Sequence, residues 1–375
     1  MLQYSDDNML GPYKIVRKLG EGGRGTVYLA FDETLARHVA IKVLRLDADP
    51  DGSAAVAMAR RFEREAQTAA KLKHPNIVTI YTVGRQGGGT QENGRPYMVM
   101  EYLEAGSLAD QLHKNGPLPW RKAAEVMADA LLALAAAHEA GIVHRDVKPT
   151  NLMWSAAGGR GGVKLVDFGL ARALYGPADA EITFPGMFVG SASYASPEQI
   201  NGTERIDARS DIYSLAATGY ALLTGQPPFV DDDSAEVMRQ HATEPFPDVR
   251  ELAPEVPEEW VRVFERAGRK NPAERYADAM EMHAAMTRLL RLPESWQSES
   301  PHPVAAKATK VSESLAMLES QLAAAQSSRD ESMQLSTLRS LCGLYSQLER
   351  PEQAKEAFRR ALVLHVKMCQ PRLAE

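Results

Sequence analysis

The sequence predicts an α+β protein built from a small β-rich lobe followed by a large helical lobe, with a separate α-helical hairpin or repeat module at the C-terminal end. Three observations predict it. Strand-like runs crowd the N-terminal part of the chain, helical periodicity takes over after Leu108, and a Pro- and Ser-rich stretch at 293–310 has no apolar period and reads as a linker.

Taken in order, Tyr13–Leu19, Thr26–Phe31 and His38–Leu44 are β-like runs separated by turn residues. Residues 58–73 read as a helix and Tyr97–Tyr102 as a further strand, with the Gly-rich polar stretch Arg85–Pro96 as a flexible strand connection. Helices follow at about 121–140, 211–224, 234–242, 258–268 and 274–291. The expected organisation is a tail at 1–12, lobes at 13–102 and 103–292, the linker at 293–310 and a helical module at 311–375.

Composition narrows the functional classes. The chain has 375 residues, 44% hydrophobic and 25% charged, with a net charge of -6 and no long basic run. That balance speaks against nucleic acid or an anionic membrane as partner. Two cysteines, Cys342 and Cys369, make no disulfide framework and fit a reducing cytoplasm. Met1–Met9 lacks the apolar core of a signal peptide. The longest apolar run, Val126–Ala137, is interrupted by Asp129 and too short to span a bilayer, so no membrane span is expected.

The first chemical signal is Gly20-Glu21-Gly22-Gly23-Arg24-Gly25-Thr26-Val27, a G-x-G-x-x-G-x-V pattern. The glycines alone also suit a dinucleotide-binding loop. Context decides between the two, because such a loop opens a helix, whereas Thr26–Ala30 reads as a strand. A glycine loop between two strands is a lid whose amides can approach phosphates closely. Downstream, Val39-Ala40-Ile41-Lys42 places a lysine inside an apolar strand, where an unpaired ammonium is costly. Met58, Phe62, Glu65, Ala69 and Leu72 share one helix face, and Glu65 is the only charge on it. Glu65 is therefore the expected partner of Lys42. Glu63 and Arg64 point elsewhere and are expected to be solvated.

The second signal is His144-Arg145-Asp146-Val147-Lys148-Pro149-Thr150-Asn151, followed by Asp167-Phe168-Gly169. With the glycine loop, the strand lysine and the helix glutamate in this order, the sequence resembles the bacterial Hanks-type (eukaryotic-like) serine/threonine protein kinases over residues 13–292. The resemblance implies a two-lobed protein kinase fold, ATP and Mg2+ as cofactors and protein substrates. It assigns Asp146 to the acceptor hydroxyl, Asn151 and Asp167 to the metal ions, and Lys148 to the γ-phosphate. Lys148 is the residue that serine/threonine members carry. Leu19, Val27, Ala40 and Met153 would wall the adenine pocket, Met100 would stand as gatekeeper, and Glu101 and Leu103 would form the hinge. Gly20, Gly22 and Gly25 would cover the phosphates. Asp211 would brace the catalytic loop, and Glu198 and Arg275 would form a buried ion pair. His74, His138 and His144 read as structural histidines without metal-ligand spacing.

Departures from the family pattern are mild: Ser196 replaces an alanine, Ser191 a threonine and Val147 a leucine. The resemblance further implies that Arg145 pairs with a phosphorylated activation segment, with Thr183 as its autophosphorylation site. Packing of Phe184, Met187 and Phe188 is the alternative way to order that segment. Residues 335–368 resemble one tetratricopeptide repeat, a motif of about 34 residues, through Leu338, Leu341, Cys342, Tyr345, Ala354, Phe358 and Ala361, with Val366 where proline is usual. A generic helical hairpin fits the same residues. One repeat cannot bury its own face, so 311–375 is expected to meet a neighbouring helix, a second copy or a partner protein. The competing function is a kinase-fold scaffold that presents a surface without catalysis.

Overall fold

The structure, a computed structural model, describes residues 9–22, 25–45, 53–86, 94–155, 162–168, 192–203 and 206–293, with scattered residues between 318 and 360. Two compact units divide the chain, Met1–Gln297 and Ser298–Glu375.

The first unit opens with a six-stranded antiparallel sheet in the order β1-β2-β3-β4-β6-β5. Its strands are β1 (Met9–Leu10), β2 (Tyr13–Gly22), β3 (Gly25–Asp32), β4 (Arg37–Leu44), β5 (Ile80–Arg85) and β6 (Pro96–Glu101). The helix α1 (Ser53–Ala69) lies between β4 and β5 in sequence. Strand alternation sorts the two faces of the sheet. Val39, Ile41 and Val43 of β4 join Tyr28, Ala30 and Val99 in one apolar cluster. Ala40 and Leu44 point the other way and pack with Phe62 and Ala66 of α1, with Met98 and Met100 of β6 and with Val78.

The larger lobe is helical, as expected, with α2 (Leu108–Asn115), α3 (Trp120–Glu139), α4 (Pro197–Ile200), α5 (Ala208–Thr224), α6 (Ser234–Thr243), α7 (Glu258–Ala267) and α8 (Ala279–Leu290). Every residue of α5 from Ser210 to Leu223 is buried, which makes it the axis of the lobe. Its start is capped by the Asp207 side chain and its end by Gly225 at φ 85°, in the left-handed region. A two-stranded ribbon, β7 (Leu152–Ser155) and β8 (Gly162–Leu165), lies between α3 and α4 in sequence.

Several boundaries moved. The helix expected at 58–73 runs over Ser53–Ala69, its start shifted back through a stretch rich in alanine, the strongest helix former. The helix expected from residue 274 begins at Ala279, where the Asp278 side chain accepts from the Glu281 amide at 2.8 Å. The strands β1, β5, β7 and β8 and the helix α2 are additional to the expectation. In the second unit, Leu322, Leu338 and Leu341 are buried, and Thr337 donates to the Met333 carbonyl one helical turn back. The remaining repeat positions, from Cys342 to Val366, lie outside the described residues.

Among the described residues, no helix is long and apolar enough to cross a membrane.

Candidate active site

The sheet register builds the nucleotide side. Lys42 stands opposite Val27 on β3 and Met98 on β6, and Ala40 stands opposite Met100. Alternation therefore places Val27, Ala40, Lys42 and Met100 on the face that carries α1. Leu19 and Leu103 pack partly buried against the same cluster. Met153, on β7, is half-buried and bridges to Ser107.

Gly20, Gly22 and Gly25 lie on the paired ends of β2 and β3. Gly25 sits at φ +145°, and a Cβ there would come within 2.1 Å of the Val43 carbonyl oxygen, so only glycine fits. A Cβ at Gly20 or Gly22 would meet nothing within 4 Å. The loop thus leaves an open approach on its inner side, the property a phosphate cradle requires.

Lys42 is buried, and its Nζ lies 2.6 Å from Asp167 Oδ2. The helix pattern did not name this partner: Lys42 forms an ion pair with Asp167. Asp167 adopts φ +66°, unusual for a residue with a side chain, and its carboxylate meets the lysine across the gap between the lobes. Glu65 lies half-buried on α1. Glu63, expected in solvent, is instead half-buried and holds Arg85 in a two-point pair at 2.6 and 3.0 Å.

The catalytic loop is fixed almost entirely from beneath. Asp211 of α5, fully buried, accepts from the amides of His144 at 2.8 Å and Arg145 at 2.7 Å, and its Oδ2 meets His138 Nε2 at 2.8 Å. Arg145 holds a left-handed backbone at φ +65°. The Asp146 amide donates to His144 Nδ1 at 3.2 Å, so the ring proton belongs on Nε2, which faces the Val166 carbonyl at 2.8 Å. His144 therefore ties the catalytic loop to Val166, next to Asp167.

Asp146 and its neighbours converge. Asn151 Nδ2 donates to the Asp146 carbonyl at 2.7 Å and to its Oδ2 at 3.1 Å, and Lys148 Nζ meets Asp146 Oδ1 at 2.9 Å. The Asn151 carbonyl in turn accepts from the Val166 amide at 3.0 Å. One carboxylate is thus aimed by an amide and a cation, while a second carboxylate, Asp167, sits beside a buried lysine.

Glu198 and Arg275 form the expected ion pair at 2.7 and 2.8 Å, with Ser210 donating to the same carboxylate. Burial pushes the Glu198 carboxyl up, but the Arg275 hydrogen bonds and charge and the Ser210 hydroxyl outweigh it and hold it below its ordinary value. Three supporting residues were not signalled by any motif. Gln199 donates to the Arg145 carbonyl at 2.8 Å, Thr218 donates to the Val147 carbonyl at 3.2 Å, and Lys164 holds the Glu101 side chain at 2.7 Å. Their contacts cross dozens of residues, which no local pattern reveals. Thr183, Ser191 and Gly169 lie outside the described residues.

A β-rich lobe and a helical lobe thus bring together a strand lysine facing one carboxylate and a second carboxylate held on a buried aspartate platform. The chain belongs to the protein kinase domain family, whose match covers residues 13–289. It is 45% identical over 278 residues to serine/threonine-protein kinase PknB of Mycolicibacterium smegmatis, covering 74% of this chain and 43% of that protein. The PknB of Mycobacterium leprae is 43% identical over 279 residues, again covering 74% and 43%. The chain thus spans less than half the length of these relatives. Among solved structures, the Mycobacterium tuberculosis PknI kinase domain superposes with a TM-score of 0.57 at 27% identity, covering 76% of this chain and 99% of that one.

The family uses ATP and a divalent metal, and the residues present fit both. The open inner side of Gly20 and Gly22 suits phosphates. Asp167 and Asn151 offer the oxygen ligands that hard divalent cations prefer.

Proposed function

We propose that the chain transfers the γ-phosphoryl group of ATP to serine and threonine hydroxyls of proteins. The observation that carries this reading is the Asp146 carboxylate, held by Asn151 on one oxygen and by Lys148 on the other. Phosphoryl transfer needs alignment and charge neutralisation more than covalent chemistry. In this reading Asp146 accepts the acceptor hydroxyl's proton, and Lys148 neutralises charge developing on the transferred group. The glycine loop and Lys42 hold the phosphates, and Leu19, Val27, Ala40, Met100, Leu103 and Met153 enclose the base.

Magnesium, held by Asp167 and Asn151, would neutralise phosphate charge. Asp167 meets Lys42 through Oδ2, and its other carboxylate oxygen would serve the metal. Lys42 would hold the nucleotide phosphates, with Glu65 of the neighbouring helix positioning it. Autophosphorylation at Thr183, answered by Arg145, and self-association or substrate docking through 311–375 complete the proposal.

The test is incubation of the full chain with labelled ATP, magnesium and myelin basic protein, followed by analysis of the modified amino acids. Phosphoserine and phosphothreonine that vanish on adding a metal chelator support the reading. Phosphotyrosine alone, or no label, overturns it.

A further inference from the structure

Behind the segment Ala192–Tyr194 lies a hydrogen-bonded chain that the phosphoryl-transfer residues do not use. His241 of α6 is fully buried. Its Nε2 faces the Ser193 carbonyl at 2.9 Å, and its Nδ1 faces the Tyr213 hydroxyl at 2.9 Å. Lys270 Nζ donates to that hydroxyl at 3.0 Å and to the His241 carbonyl at 2.8 Å.

The donors fix the direction of the chain. An ammonium can only donate, so the Tyr213 oxygen accepts from Lys270, and its own proton faces His241 Nδ1 at 2.9 Å and the His241 carbonyl at 3.2 Å. The Ser193 carbonyl can only accept, so the imidazole proton sits on Nε2 and points at it. Burial and the nearby Lys270 charge push the His241 pKa down to about 4, in keeping with a neutral ring. The assembly is also held sterically. Phe229 packs edge-on against the His241 ring at 4.9 Å, and Lys270 lies over the Phe229 and Phe246 rings at 5.4 and 5.5 Å.

The far end of the same segment is tied to the catalytic loop, since Gln199 donates to the carbonyl of Arg145, the residue before Asp146. Residues 192–199 therefore join the His241 chain to the loop that carries Asp146. We propose that His241 is a positioning residue for protein acceptors, fixing Ala192–Tyr194 as one wall of their site through its bond to the Ser193 carbonyl. This rests on the protein-phosphorylating activity proposed above.

The test compares steady-state kinetics of the full-length wild type with His241→Phe, His241→Gln and Tyr213→Phe, using myelin basic protein as acceptor. Phenylalanine keeps the ring and loses both bonds, whereas the glutamine amide can still donate to Ser193. His241→Phe should raise the KM for the acceptor about tenfold, the scale of one lost hydrogen bond, while the KM for ATP keeps its wild-type value. His241→Gln should recover most of the loss, and Tyr213→Phe should fall between. If His241→Phe does not fold, the glutamine and Tyr213 variants carry the same comparison. Equal rises in both KM values, an unchanged acceptor KM, or a glutamine variant no better than phenylalanine would overturn the inference while leaving the kinase activity standing. No transfer by the wild type overturns both.

Discussion

At the scale of single residues, function rests on a few side chains whose roles follow from what they touch. Lys42 is the clearest. Its ammonium is buried against Asp167, so Lys42→Met should abolish more than 99% of turnover, given that a preorganised charge contact at the reacting group is worth about 100-fold or more. Activity within threefold of wild type would remove Lys42 from the mechanism. Arg275 makes a different prediction. It gives its guanidinium to Glu198 and to three backbone carbonyls, so Arg275→Met strands a buried carboxylate. The expected cost is about 3–5 kcal/mol in urea unfolding, and a loss under 1 kcal/mol would contradict it. Lys42 was legible in the sequence because it sits in a short motif, and Arg275 only through the family resemblance. The contact of Lys42 with Asp167 was not legible. Helix spacing named Glu65, whereas the Asp167 contact depends on the left-handed turn at that residue, a backbone state that no periodicity encodes.

At the scale of elements, the sheet and helix α6 each carry a prediction. Gly25 bridges β2 and β3 at φ +145° with the Val43 carbonyl against it. Gly25→Ala should cost on the order of 2 kcal/mol of stability and weaken ATP binding, readable by thermal unfolding with and without nucleotide. An alanine variant as stable as wild type would contradict the close approach. On α6, the His241 pKa falls from 6.5 to about 4, so between these values the unfolded chain binds a proton that the folded one does not. Stability supported by the neutral ring is therefore present above pH 6.5 and is lost as the pH falls toward 4. Between pH 7 and pH 5 the wild type should lose on the order of 2 kcal/mol more than His241→Gln, and parallel losses would contradict the assignment. The long periodic helices and the alternating strands were legible in the sequence. The short pieces β1, β5, β7, β8 and α2 were not, because a run of two to eight residues holds too few periods to stand out and is stabilised by its neighbours.

At the scale of the whole molecule, the chain separates into two compact units, Met1–Gln297 and Ser298–Glu375. The family match ends at residue 289, so the second unit should be dispensable for phosphoryl transfer itself. Truncation after Ser300 should leave phosphorylation of myelin basic protein within twofold of wild type while slowing autophosphorylation in dilute solution, as expected if the segment raises local concentration. A truncated chain that no longer phosphorylates the acceptor would make the segment a brace of the kinase fold. The central claim is that this assembly is an active kinase and not a scaffold, and it turns on Asp146. The direct measurement pairs ATP binding with phosphate transfer from labelled ATP, for the wild type and Asp146→Asn. ATP binding should be nearly unchanged in the variant while transfer to protein falls by about a thousandfold or more, because the carboxylate acts in the transition state and not in holding the nucleotide. Equal labelling by the two proteins would contradict the account.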